Sequence, residues 1–175
     1  MKFKIASARL SFPALFQTAK FGGEDTGKYE CTLILDKAQH ADVIKAMGAA
    51  IANMMKDELK GKIPSEKIAL KDGDESDRPE FAGKMTLKVS SKRRPLVINR
   101  DKSPITEADN IVYAGCYVNA IVSLWAQNNQ WGKRINGSLE GIQFAKDGEP
   151  FGDGGASVNE FDAFGTSEED EEIAF

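Results

Sequence analysis

Histidine is almost missing from this 175-residue chain: His40 stands alone, and only two cysteines, Cys31 and Cys116, accompany it. Nucleophilic triads and multi-histidine metal sites would all have to share that one imidazole, so an enzyme built on histidine chemistry is not expected. Set among Lys37, Gln39 and Asp42, His40 reads as a solvated residue at a helix start. Each cysteine lies inside an apolar segment with no partner at ligand spacing, and both read as reduced core residues. No Walker loop, dinucleotide fingerprint or nucleophile elbow is found. No metal and no cofactor are expected. Nor does any apolar run approach the roughly 20 residues of a membrane span, and the start Met1-Lys2-Phe3-Lys4-Ile5 alternates polar and apolar, unlike a signal peptide. A cytoplasmic protein without membrane contact is expected.

What is present is an uneven charge. The formal net charge is −4, but residues 145–175 carry ten of the 27 acidic side chains and one of the 23 basic ones. Residues 1–144 therefore hold 22 basic against 17 acidic groups, a cationic body behind an anionic tail. An appended acidic tail masks a basic body in the whole-chain charge, so the body is judged alone.

Period-two alternation marks strands at residues 3–12, 28–36 and 84–91, and longer ones at 114–126 and 131–145, joined by Gln127-Asn128-Asn129-Gln130. Residues 96–99 read as an edge strand after Pro95. Gly137 and Gly141 suggest bulges or a tight barrel corner. Between residues 38 and 59 the period becomes helical, with Ile44, Met47, Ile51, Met54 and Met55 on one face, read as packing. Residues 71–83 read as a solvated acidic loop; the glycine and glutamate of a calcium loop are not at the required spacing. Five or more strands and one long helix predict a mainly β fold, an OB-fold-like five-stranded barrel with one long α-helix and a disordered acidic C-terminal tail. The helix falls after the second strand rather than the third, which leaves the strand topology open. Domain boundaries are expected at residues 1–152 for the barrel and 153–175 for a flexible acidic tail.

One stretch concentrates cations: Lys84, Lys88, Lys92, Arg93, Arg94, Arg100 and Lys102, with Asp101 the sole opposing charge. Such a stripe can neutralise phosphates and release counterions, although an ordinary edge strand also uses lysine against aggregation. Aromatics favour the first reading. In residues 114–126 one face is Cys116, Val118, Ala120, Val122 and Leu124, which leaves Tyr117, Asn119, Ile121, Ser123 and Trp125 on the other. Trp125 and Trp131 flank the hairpin tip beside Lys133 and Arg134, and rings beside cations offer single strands both stacking and charge. Both tryptophans could instead cap the barrel as packing residues.

The tail, Glu168, Glu169, Asp170, Glu171 and Glu172 followed by Ile173-Ala174-Phe175, resembles the acidic, phenylalanine-ending tails of bacterial and phage single-stranded-DNA-binding proteins. Residues 29–35, Arg78-Pro79-Glu80-Phe81, Arg93-Arg94-Pro95, Tyr113-Ala114-Gly115 with Tyr117-Val118, and residues 139–144 before Phe151-Gly152 resemble phage-encoded OB-fold members of that class, similar in architecture to podophage helix-destabilising proteins. The resemblance implies a non-catalytic protein that binds, protects and melts single-stranded DNA in phage replication and recombination in the host cytoplasm. Its tail, through Glu168–Glu172, Ile173 and Phe175, would compete with DNA and recruit replication proteins such as a polymerase or helicase-primase. A homodimer is a further expectation left open. The competing readings are a protein-interaction module whose tail mimics DNA, and a duplex DNA- or RNA-binding OB protein.

Overall fold

A computed structural model describes residues 2–151. The predicted tail, including Glu168–Glu172, Ile173 and Phe175, lies outside the described residues.

Five long strands build a closed barrel: β1 (Lys2–Ala14), β4 (Tyr29–Asp36), β6 (Lys84–Ser91), β8 (Tyr117–Asn129) and β9 (Gly132–Lys146). Two short strands, β2 (Lys20–Phe21) and β3 (Glu24–Asp25), form a separate hairpin between β1 and β4, while β5 (Leu70–Asp72) and β7 (Leu96–Ile98) add edges to the main sheet. The order is β5-β6-β4-β1-β8-β9-β7, and a parallel pairing of β6 with β9 at Ser90 and Ser138 closes the barrel. Among the long strands the order of pairing is that of an OB barrel, with antiparallel neighbours everywhere except at this closure. The helix α1 (Ala41–Asp57) does lie after the second long strand, and it packs on β8 and β1. No helix among the described residues is long and apolar enough to cross a membrane.

Alternation accounts for the core. The inward residues Cys31, Leu33 and Leu35 of β4, Leu87 and Val89 of β6, and Val118, Ala120, Val122 and Leu124 of β8 are all buried. Met47, Ile51 and Met54 close one opening from α1. Each fully buried Leu, Ile, Val or Met side chain contributes about 1.5–3 kcal/mol relative to exposure. Both cysteines are free and buried, and burial pushes the Cys31 thiol far above its ordinary range.

Strand ends and two other expectations are corrected. β8 begins at Tyr117 and runs to Asn129, so the hairpin turn is Gln130-Trp131. His40 is not solvated but 7% exposed: its Nδ1 accepts from the Asp36 N–H at 2.9 Å, and its Nε2 lies 2.7 Å from the Ala6 carbonyl. A carbonyl only accepts, so Nε2 carries the proton and the ring ties α1's start to β1. Nor is the 71–83 segment simply a solvated loop. Leu70–Asp72 pairs with β6, Asp72 and Asp74 both pair with Lys37, and a side chain at Gly73 would collide with the Phe81 carbonyl oxygen.

Glycine and irregularity shape the barrel wall. A Cβ at Gly137 would lie 2.8 Å from Val89 Cγ1 and 2.9 Å from the Lys88 carbonyl oxygen, at the β6–β9 closure. Gly141 borders a register shift between Ile121 and Val122, as its spacing suggests. In β1 the register jumps between Ser11 and Ala14, and Phe12 within that bulge takes φ 48°, a left-handed conformation that costs an L-residue about 1–2 kcal/mol.

Candidate nucleic-acid interface

Register fixes the floor of the main groove. Ser123 of β8 pairs with Ser138 of β9, Ser138 with Ser90 of β6, Ser90 with Glu30 of β4, and Glu30 with Ala14 of β1. Directly opposite residues share a face, so these five form one row on the outer wall, of which Ser138, Ser90 and Glu30 line the groove. The two serines leave a trough where larger side chains would fill it.

The trough opens into a groove of about 870 Å³. Its cations are Lys28, Lys67, Lys71, Lys88, Lys92 and Arg134; its carboxylates are Glu30 and Glu66; its aromatic rings are Phe21 and Trp125. Trp125 is 47% exposed and Phe21 83% exposed, so neither ring is used up by the core. Lys88 Nζ lies 3.4 Å from Glu30 Oε2, a half-exposed pair that leaves the lysine reachable from solvent.

Segment 67–71 enters this site for a structural reason. Where β6 and β9 diverge from their single pairing, the Ala69 N–H donates to the Ile135 carbonyl at 2.9 Å, and the Lys88 N–H donates to the Ala69 carbonyl at 3.2 Å. Ile68 bridges to Ile135 in the same gap. The chain thereby fills the seam and places Lys67 and Lys71 on the groove wall.

Of the residues singled out in the sequence, the groove brings together Lys88, Lys92, Trp125 and Arg134. Lys84 is turned to Asp36 at 2.6 Å, and that hydrogen bond, with those from the Gln39 and Ala38 N–H groups, holds the Asp36 carboxyl down at about 2. Arg94 donates to the Phe16 carbonyl at 3.1 Å, and Arg93 precedes it in the exposed bend. Arg100 lies over the Phe144 ring, 5.4 Å from its centroid. Tyr117 occupies the opposite end of β8 from the hairpin tip, its ring flanked by Lys146 at 4.8 Å and Arg9 at 5.9 Å. Lys133 caps the end of α1's exit by donating to the Leu59 carbonyl at 2.7 Å, while Trp131 stands 78% exposed at the tip.

Phe21, Lys28, Lys67 and Lys71 escaped the sequence reading. Phe21 carried a usable signal, since an aromatic residue directly before Gly22-Gly23 marks a small hairpin presenting a ring. Lys67 and Lys71 carried none, because only the hydrogen bonds of Ala69 to β9 and β6 bring their segment onto the wall.

Comparison with known proteins gives the family. Residues 1–174 match the family model described as Enterobacter phage Enc34, ssDNA-binding protein. Protein p50 of Acyrthosiphon pisum secondary endosymbiont phage 1 is 38% identical over 99% of this chain and 100% of its own. The single-stranded DNA-binding protein from bacteriophage Enc34 in complex with ssDNA superposes with a TM-score of 0.76 at 33% identity, over 86% of this chain and 89% of that one. A C-terminal truncation of the same protein gives 0.76 at 32%, over 86% and 88%. The gp2.5 single-stranded DNA-binding protein encoded by bacteriophage T7 shares the fold, with a TM-score of 0.51 at 13% identity over 89% of this chain and 97% of its own. The chain belongs to the family of the single-stranded-DNA-binding protein of Enterobacter phage Enc34.

Proposed function

We propose that this chain binds single-stranded DNA without sequence preference, in the groove crossing β9, β6 and β4, and that it performs no catalysis. The observation that carries this reading is the convergence of six cations and two exposed rings on that face, flanked by the β1–β4 loop and the β8–β9 hairpin. This is the face and these are the loops with which OB barrels take oligonucleotides. Cations supply affinity by counterion release, and each stacked base adds about 1–3 kcal/mol. Preferential binding of single strands draws the duplex equilibrium toward melting by mass action.

In the same proposal, residues 1–152 form the binding domain and residues 153–175 an acidic segment that competes with phosphates for the groove. Charge supports that role: the segment is anionic and the body cationic. Freed by bound DNA, it would recruit replication proteins such as a polymerase or helicase-primase, in replication and recombination of phage DNA in the host cytoplasm. Competition among single-stranded DNA, duplex DNA and RNA, run with the full chain and with residues 165–175 deleted, tests the reading. Single-stranded DNA should win, and deletion should raise affinity at low salt with a gain that shrinks as salt rises. Equal affinity for duplex or RNA overturns the assignment, and an affinity unchanged by deletion at low salt overturns the competition.

A further inference from the structure

The floor row does not stop at the groove. Beyond Glu30 it reaches Ala14 of β1, and there a second depression of about 430 Å³ opens between Phe12, Thr32, Ala19 and Lys20. Glu30 and Lys88 line both depressions, so the two meet across that ion pair. The β2–β3 hairpin stands at the junction. Adjacent strand residues point to opposite sides, and accordingly Phe21 lines the first depression while Lys20 lines the second.

Phe12 is an unusual residue in this setting. It sits in the β1 bulge with a left-handed φ of 48°, and the bulge turns a ring outward that simple alternation would not place there. The ring is 41% exposed, and the Arg78 guanidinium lies 4.6 Å from its centroid. Strain that serves no burial is a pointer to function. An exposed ring held by a cation, next to a lysine, repeats the chemistry of the Trp125 end.

We infer that Phe12 and Arg78 form a second nucleobase-stacking site, with Lys20 as its phosphate contact, so that one strand of DNA runs from Trp125 across the Glu30–Lys88 junction to Phe12. This rests on the proposed groove and extends it. Followed round the curved wall from β8 through β9, β6 and β4 to β1, the path crosses four strand spacings of about 4.8 Å, an arc of about 19 Å, a length for several nucleotides. Glu30 has a defined part at the junction. Its carboxylate repels a phosphate, so a base edge rather than the backbone passes over it, which turns the strand's phosphates toward Lys20 and Lys88 on either side.

The experiment compares Phe12→Ala, Phe12→Leu, Phe12→Trp, Arg78→Ala and Trp125→Ala in the full chain, titrated with oligo-dT of about 4 and about 12 nucleotides. Melting temperatures report folding, and Phe12→Leu keeps apolar bulk without a π-face. Phe12→Ala and Phe12→Leu should weaken the long oligonucleotide by about 5- to 150-fold, the range of one base stack, and spare the short one. Arg78→Ala should show a smaller loss of the same length dependence. Phe12→Trp should retain affinity and add fluorescence quenching only with the long oligonucleotide. If the Phe12 variants bind the long oligonucleotide like the wild type while Trp125→Ala does not, the second site is wrong and the main groove stands. If Phe12→Leu folds normally yet weakens both lengths equally, the second site is also overturned. If neither ring matters, both readings fall together.

Discussion

Gly137 and Val89 meet where the barrel closes: a Cβ on the glycine would come within 2.8 Å of the valine's Cγ1. The Lys88 carbonyl oxygen, 2.9 Å from the same point, is backbone and cannot swing aside. Gly137→Ala is therefore expected to lower stability by about 1–3 kcal/mol, the usual cost of overpacking, read from chemical denaturation midpoints. Gly141→Ala serves as comparison. Its Cβ would rest at 3.6 Å from the Leu96 carbonyl oxygen, an ordinary contact, and its cost should be smaller.

Salt dependence separates groove cations from those engaged elsewhere. Lys88→Ala, Lys92→Ala and Arg134→Ala should each weaken binding of all single-stranded sequences alike and reduce the slope of log K against log salt by about 0.7. Lys84→Ala should leave that slope unchanged, because its ammonium is held by Asp36 at 2.6 Å outside the groove. A Lys84 variant with the larger slope change would invert the assignment.

Trp125 is half-exposed within the groove, and its partner across the hairpin is Asn136. Trp125→Ala is expected to cost about 1–3 kcal/mol of DNA affinity while thermal stability changes little. Were the ring a packing residue, the loss would appear in unfolding instead, by about 3–5 kcal/mol. Isothermal titration beside calorimetric melting distinguishes the two.

Acid should loosen the junction of β4, α1 and β6. The Lys84 hydrogen bond, then the Gln39 and Ala38 N–H groups, bring the Asp36 carboxyl from its ordinary 3.8 to about 2. A folded pKa below the unfolded one means that its stabilisation is complete above about pH 4 and disappears as pH falls toward 2. Asp36→Asn should lower Tm at pH 7 and flatten the decline in Tm between about pH 4 and pH 2. A decline identical to that of the wild type would remove Asp36 as its source.

Much of the barrel is legible in the sequence because period two survives wherever one face is buried and the other wet. The clean run Val118, Ala120, Val122, Leu124 on β8, with Cys116 just before it, is the plainest case, and all five are buried. Register is not legible in that way. Lys84 and Lys88 are equivalent by spacing, yet Asp36 lies directly opposite Lys84 and claims it at 2.6 Å, whereas Lys88 opposes Thr32 and, in a looser 3.4 Å pair with Glu30, still faces the groove. Tertiary reach hid the rest. His40 finds its second partner at Ala6, 34 residues away, and Lys67 and Lys71 join the site only because Ala69 hydrogen-bonds to both β6 and β9. Phe12 reads from the sequence as a plain strand end, since nothing local marks a bulge at a Phe-Pro step as a ring turned outward.

Closure of the barrel by a single pairing, Ser90 with Ser138, bears on how the proposed groove would hold its ligand. Every other long-strand contact is a ladder of several residues, whereas here the hydrogen bonds of Ala69 to Ile135 and Lys88 supplement the one pairing, and the seam runs along the bottom of the proposed binding groove. A strand bound there as proposed, with contacts on Arg134 to one side and Lys88 to the other, would work as a clasp, resisting the parting of β6 and β9 by the same contacts that hold it in place. On the proposed binding mode, occupancy and integrity of the wall would be thermodynamically linked, and amide exchange along the seam should slow when DNA is bound.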